Sequence, residues 1–271
     1  MDICIFIESQ TDNDISPNTI KNKLSNLRRF LRLSNVSLHA VNSEQVSDLI
    51  EAISRDSSYT SKAKLALDVK HFKAIVDMQP HSYMGTCLRA IFLFLYYGAF
   101  RQSEVVPVNQ GSFNHEKSMT RGDIKIVDNV LHIWLRWAKN MQKHDQVRLM
   151  TIQPSPDMRY CPVTAYRRLL TISPTIRSDQ PVFVFQDQKP IPVTAVRSEF
   201  NRALTALHLN KDSFSLHSIR KCSATTAYTH GCAPIDVKRH GGWRSDAHLV
   251  YIQPKSEKIV TSALAKAISQ S

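Results

Sequence analysis

HSIRKCSATTAYTHGCAPIDVKRHGGWRSDAHLVY, the run from His217 to Tyr251, decides how this chain is read. Its first four residues set His217 and Arg220 at i and i+3. Those positions share a helix face, so both side chains can address one target. Ser215 precedes them as a candidate N-cap, placing His217 in a first turn whose N–H groups favour anions. Further on, Gly241-Gly242 breaks one helix and Ser245 can cap the next. Tyr251 then falls on a short helix, about two turns after Trp243. Taken singly these signals are weak. With 11 His and 35 Lys plus Arg in 271 residues, about one His-x-x-basic match is expected by chance. A Trp and a Tyr here also suit plain core packing.

Upstream residues add weight. Gly98-Ala99-Phe100-Arg101-Gln102-Ser103-Glu104 closes an apolar run with an arginine. An arginine beside a buried segment needs a partner, since isolated buried charge is costly, and Glu104 can supply one for purely structural reasons. Six residues, Arg101, Lys139, His217, Arg220, Trp243 and Tyr251, can together hold one phosphodiester. Two guanidiniums, an ammonium, an imidazole and an indole N–H all donate hydrogen bonds to phosphate oxygens. A tyrosine can be a nucleophile. No carboxylate cluster accompanies the six, so the expectation is no metal and no cofactor. The set points to metal-free strand cleavage on nucleic acid through a tyrosyl phosphate.

Composition narrows the partners. Hydrophobic content of 42% and charged content of 21% fit a soluble globular protein. A net charge of +12 favours polyanions. Acidic membrane surfaces compete as a reading, but no long basic amphipathic helix with a clean aromatic face supports them. Five cysteines, Cys4, Cys87, Cys161, Cys222 and Cys232, are odd in number and irregular in spacing. They argue against a disulfide framework or a zinc site and for a reducing compartment. The opening MDICIFIESQ has no basic n-region and is not expected to be a secretory signal. The longest apolar stretch, AIFLFLYYGAF at 90–100, is too short to span a bilayer and reads as a buried helix.

Along the chain, Ser16-Pro17 opens a helix whose Ile20, Leu24, Leu27 and Leu31 form one apolar face. Lys21, Lys23, Arg28, Arg29 and Arg32 occupy its remaining surface, either as a solvated basic face or as contacts to a DNA backbone. A second helix is expected over 43–53, and 54–61 (SRDSSYTS) reads as a linker. Helices follow over 67–78 and through 91–97. Residues 123–127, 131–137 and 147–152 are rich in Val, Ile and Trp and predict a three-stranded antiparallel meander. Asp128-Asn129 is the first turn and a polar loop the second. Helices return over 162–170, 193–207, 217–229, 247–252 and 257–268. The fold class is therefore mainly α with a small three-stranded antiparallel β-sheet.

At this point the chain resembles the tyrosine recombinase (phage-integrase) family, from about residue 65 to the C-terminus and more loosely before it. Gly98–Glu104 resembles the family's first arginine box, with Arg101 as its arginine and Glu104 as the acidic neighbour. Lys139 resembles the β-hairpin lysine, since it directly follows the second strand, and Lys143 is the alternative. His217 and Arg220 match the H-x-x-R motif, Trp243 the His/Trp position and Tyr251 the nucleophile. HSIR together with GGWRSDA and the following Tyr251-Ile252 is most similar to the eukaryotic mobile-element branch of cryptons and DIRS-type elements. Cys222 departs from the glycine frequent two residues after the second arginine, a matter of helix packing.

The resemblance implies a helical DNA-clamp domain over 1–64, short for its kind, and a catalytic domain over 65–271. It implies site-specific DNA cleavage and rejoining through a 3′-phosphotyrosyl intermediate, without metal or ATP. Tyr251 attacks, Arg101 and Arg220 hold the phosphate, and Lys139 protonates the leaving 5′ oxygen. His217 binds phosphate or takes the tyrosine proton, and Trp243 donates or packs. Double-stranded DNA is the implied partner. The apolar stripe Ile259, Val260, Ala263, Leu264, Ala267 and Ile268, set off by Pro254, packs either at home or on a neighbouring protomer. The resemblance favours the neighbour, hence a tetramer on DNA. Two other outcomes use related parts: a type IB topoisomerase-like or hairpin-resolving enzyme, and a domesticated DNA-binding protein that does not cut. Localisation is expected to be intracellular, nuclear if eukaryotic and otherwise cytoplasmic.

Overall fold

A computed structural model describes residues 2–56, 64–136, 147–243, 245, 246 and 249. The chain divides into two compact units, Met1–Ala63 and Lys64–Ser271.

The first unit is helical: α1 (Ile3–Asp12), α2 (Pro17–Leu33) and α3 (Glu44–Arg55), with a 3-10 turn at Ala40–Asn42. Helix α1 was not expected from the sequence; Asp2 caps it by accepting from Cys4 N–H at 2.9 Å. Ser16 caps α2 by accepting from Thr19 N–H at 3.3 Å, and Ser43 caps α3 by accepting from Val46 N–H at 3.4 Å. Ile7, Ile20, Leu24, Val41 and Val46 form the core, with Leu27 and Leu31 packed against it. The basic residues of α2 divide. Arg28 turns inward, donating from Nε to Asn42 Oδ1 at 2.8 Å and from Nη2 to Val41 O at 2.9 Å. Lys23 donates to Gln10 Oε1. Lys21, Arg29 and Arg32 are exposed.

The second unit is built on α5 (Tyr83–Tyr97), a helix buried along nearly its whole length. Phe92 and Phe94 are fully buried and meet Phe200, Tyr166 and Phe183. Burying a side chain of this size contributes about 1.5–3 kcal/mol. Around α5 are α4 (Val69–Asp77), α7 (Pro162–Ile172) and α9 (His217–Thr229), while α8 (Val193–Ala206) packs on α4. Short α6 (Gln102–Val105) follows α5, and α10 (Pro234–Gly241) follows α9.

The sheet is antiparallel in the order β1 (Ile124–Val127), β2 (Val130–Leu135), β3 (Arg148–Ile152). Ile124 pairs with Ile133 and Leu131 with Ile152. Leu131, Ile133 and Leu135 face the core at alternate positions, as a half-buried strand requires. The β1–β2 turn is Asp128-Asn129, with φ of 49° and 64°. Both residues tolerate the left-handed region that a two-residue hairpin demands.

The strand boundaries and one helix cap differ from the sequence reading. The first strand begins at Ile124, because Asp123 is spent in a turn: its carboxylate accepts from Thr120 N–H and Oγ1 at 2.8 Å each and from Arg136 at 2.7 Å. The second strand runs over Val130–Leu135, and the third starts at Arg148. Ser215 does not cap α9. Leu216 holds that position with no side-chain bond, and Ser218 Oγ instead reaches back to accept from Ser215 N–H at 3.1 Å. The helices expected over 247–252 and 257–268 lie outside the described residues, apart from Leu249. Among the described residues no helix is long and apolar enough to cross a membrane.

Candidate active site

The C-terminal end of α5 starts the site. Gly98 caps the helix, and a Cβ there would lie 2.2 Å from the Phe100 ring. Only glycine lets the chain fold so tightly before Arg101. Arg101 then opens α6, where Glu104 serves it twice. Arg101 N–H donates to Oε2 at 2.7 Å and Nη1 donates to Oε1 at 2.8 Å. Glu104 is buried, whereas the Arg101 side chain stays 23% exposed. The carboxylate thus fixes the guanidinium from behind and leaves part of it facing outward.

Arg220 lies on α9, one turn after His217, and is only 1% exposed. Nη1 donates to Ala99 O, and Nη2 donates to Gly241 O at 2.9 Å. Carbonyls orient a guanidinium without neutralising it. The Trp243 ring covers it, with the ring centroid 4.0 Å from Cζ. Such a face-on contact is attractive in its own right. Gly241 permits it, because a Cβ there would sit 1.7 Å from the Trp243 ring. Trp243 also packs with Ala99, Ala224 and Val237 beside a cavity of about 320 Å³.

His217 begins α9 with an exposed edge. Desolvation of its inner side, then the charges of Arg220, Lys221 and Arg101, push its pKa down to about 4. The charged form is disfavoured, so at neutral pH the ring is a neutral imidazole, with one nitrogen a donor and the other an acceptor. Arg220 bonds Ala99 O, two residues before Arg101, and lies one turn after His217, so the three groups occupy one region.

Arg148 and His240 also reach this region and were not singled out in the sequence. Arg148 Nη2 donates to Arg239 O at 3.1 Å and also to His240 O. Burial lowers the Arg148 pKa, Glu104 opposes that shift, and Arg101 adds to it. His240 Nε2 meets Tyr97 O at 2.7 Å. A carbonyl can only accept, so Nε2 carries the proton. Burial lowers the His240 pKa. Neither residue has a local sequence signal, since each acts on a segment distant along the chain.

The structure therefore brings Arg101, Glu104, His217, Arg220 and Trp243 together. Lys139, Lys143 and Tyr251 lie outside the described residues. Among the described residues, no three His, Cys, Asp or Glu side chains group closely enough to hold a metal ion.

Neither a protein-family model nor a curated protein sequence matches the chain. Solved structures do. XerH site-specific recombinase bound to a palindromic difH substrate, a post-cleavage complex, aligns over 97% of this chain and 72% of its own. The TM-score is 0.67 and the identity 14%. The Tn1549 transposon integrase with circular-intermediate DNA aligns over 97% and 83%, with a TM-score of 0.64 and 14% identity. A lambda integrase dimer on a COC′ core site aligns over 94% and 80%, with a TM-score of 0.61 and 15% identity. Similarity at this identity is similarity of fold. The mostly helical architecture with its three-stranded antiparallel sheet is the tyrosine recombinase catalytic fold.

Proposed function

We propose that the chain is a tyrosine recombinase that cuts and rejoins DNA through a 3′-phosphotyrosyl intermediate. One observation carries the reading: the guanidinium of Arg101, at the start of α6, converges with the imidazole and guanidinium of His217 and Arg220 on α9, in a fold shared with DNA-bound recombinases. The Tyr251 phenol oxygen attacks phosphorus in line. The new P–O(Tyr) bond forms as the P–O5′ bond breaks. His217 takes the phenol proton, and Lys139 gives a proton to the leaving 5′ oxygen. One phosphodiester replaces another of similar energy, so no ATP is required. Arg101 and Arg220 donate to the non-bridging oxygens, most strongly as charge builds in the transition state. A 5′ hydroxyl of a partner duplex then reverses the steps and joins new strands.

The first unit grips the DNA backbone through Lys21, Lys23, Arg29 and Arg32. Arg28 contributes less because its donors serve the unit itself. The GGWRSDA segment with Tyr251-Ile252 supports an origin in a eukaryotic mobile element, and with it a nuclear site of action.

Lys139→Ala tests the assignment of the acid. Its single-turnover cleavage is expected to recover on a substrate with a 5′-bridging sulfur, because a thiolate leaves without protonation. Arg101→Ala should recover far less. Recovery at Lys143→Ala instead would move the role to Lys143.

The tail adds assembly. Its stripe of Ile259, Val260, Ala263, Leu264, Ala267 and Ile268 docks on a neighbouring protomer in a DNA-bound tetramer. Deleting residues 257–271 is expected to abolish tetrameric complexes on paired sites, read by sedimentation or gel shift, before single-site binding weakens. Tetramers that survive the deletion would place the tail in its own protomer.

A further inference from the structure

We infer that Arg148 is a positioning residue that ties the sheet hairpin to the turn carrying Trp243 and the carbonyl partner of Arg220. The inference rests on the recombinase reading for its consequence, though not for its geometry. Arg148 is the first residue of β3, opposite Leu135 at the end of β2. In sequence, Lys139 and Lys143 lie between these two strands. The Arg148 side chain crosses to α10 and donates to Arg239 O and His240 O. Carbonyls of a helix's last turn carry partial negative charge and favour a cation.

The next residues complete the link. Gly242 takes a left-handed φ of 68°, and a Cβ on it would lie 2.3 Å from Arg148 Nη1. Glycine is thus required both for the turn and for the guanidinium to lie against it. Gly241 O accepts from Arg220, and the Trp243 ring covers Arg220. One continuous set of contacts therefore runs from the base of the hairpin to the buried arginine of the site. Glu104 and Arg101 lie within electrostatic reach of the same guanidinium. A lysine could not replace it fully, because a compact ammonium cannot both serve the two carbonyls, as Nη2 does, and lie against Gly242, as Nη1 does.

The consequence is that one residue holds both halves of the reaction in register: the hairpin that protonates the leaving group and the clamp that binds the phosphate. Two measurements test this. In the free protein, the Gly242 and Trp243 amides donate to Arg239 O and Lys238 O. Arg148→Ala should speed hydrogen exchange at both by at least about tenfold, while the amides of α5 keep their protection. Wild-type exchange at Gly242 and Trp243 would overturn the inference whether or not the protein cuts DNA.

The second measurement is single-turnover cleavage. A misplacement of this kind is expected to slow it by about ten- to a hundredfold, with DNA affinity nearly unchanged. Arg148→Lys should be intermediate. A 5′-bridging sulfur should restore only part of the Arg148→Ala loss, against near-complete recovery for Lys139→Ala. Full recovery would mean that Arg148 serves the hairpin alone, and no recovery that it serves the clamp alone; either overturns the coupling. If sulfur rescues neither variant, the acid assignment fails, and the exchange experiment still decides on Arg148.

Discussion

Tyr251→Phe is expected to eliminate covalent attachment to DNA while leaving DNA affinity within about tenfold of wild type. The variant removes one oxygen. In the proposed reaction that oxygen forms the new bond to phosphorus, and a phenylalanine ring carries no nucleophile. The aromatic ring remains, and the substitution removes little surface. A single hydrogen bond from the phenol to the bound phosphate is worth about 0.5–1.5 kcal/mol, which limits the loss of affinity to about tenfold. The readout is a denaturing gel of protein incubated with a nicked suicide duplex. A denaturation-resistant adduct formed by the Phe variant would show that another residue attacks.

Arg101→Ala and Arg220→Ala are each expected to slow single-turnover cleavage by about a hundredfold to a thousandfold. That is the cost of removing a preorganised donor aimed at a developing oxyanion. The two variants should differ in stability. Arg220 is buried and satisfies Ala99 O and Gly241 O while stacking under Trp243. Its removal leaves two carbonyls without this donor, at about 1–3 kcal/mol for each one left unsatisfied, and opens space beneath the indole. Arg101 is partly exposed, and its loss mainly strips Glu104 of its cation. Thermal unfolding should therefore show the larger drop for Arg220→Ala, and cleavage must be measured below both midpoints. Near-normal cleavage by either folded variant would refute the phosphate clamp.

Much of the architecture was legible because local rules and tertiary packing agree. Ser16-Pro17 and Ser43 cap the helices they precede. Asp128-Asn129 turns the first hairpin, and the unbroken apolar run before Gly98 is a buried helix. Failures occurred where a side chain had a competing partner. Ser215 looked like a cap, but Ser218 answers its N–H instead. Asp123 looked like the start of a strand, but its carboxylate is committed to Thr120 and Arg136. Arg28 looked like part of a basic face, but carbonyl and amide oxygens near residue 42 draw it inward.

The site divided in the same way. Arg101, His217 and Arg220 stand in recognisable local motifs, and helix geometry alone aligns the latter two. Arg148 and His240 could not be found by pattern. Their partners lie 91 to 143 residues away in the chain, and only the folded structure brings them near. The neutrality of His217 was equally hidden. It follows from desolvation and from three cations, of which Arg101 comes from a different segment.

The proposed chemistry is a phosphoryl transfer to a tyrosine that needs no metal, and both features can be read from one covalent adduct. Wild-type protein is incubated with a nicked suicide duplex in excess chelator and digested with protease, and the nucleotide-bearing peptide is sequenced by mass spectrometry. The expected result is a 3′-phosphoryl linkage on Tyr251, formed in undiminished yield under chelation. A linkage on another residue, or an adduct that appears only when a divalent metal is supplied, would contradict the proposed mechanism.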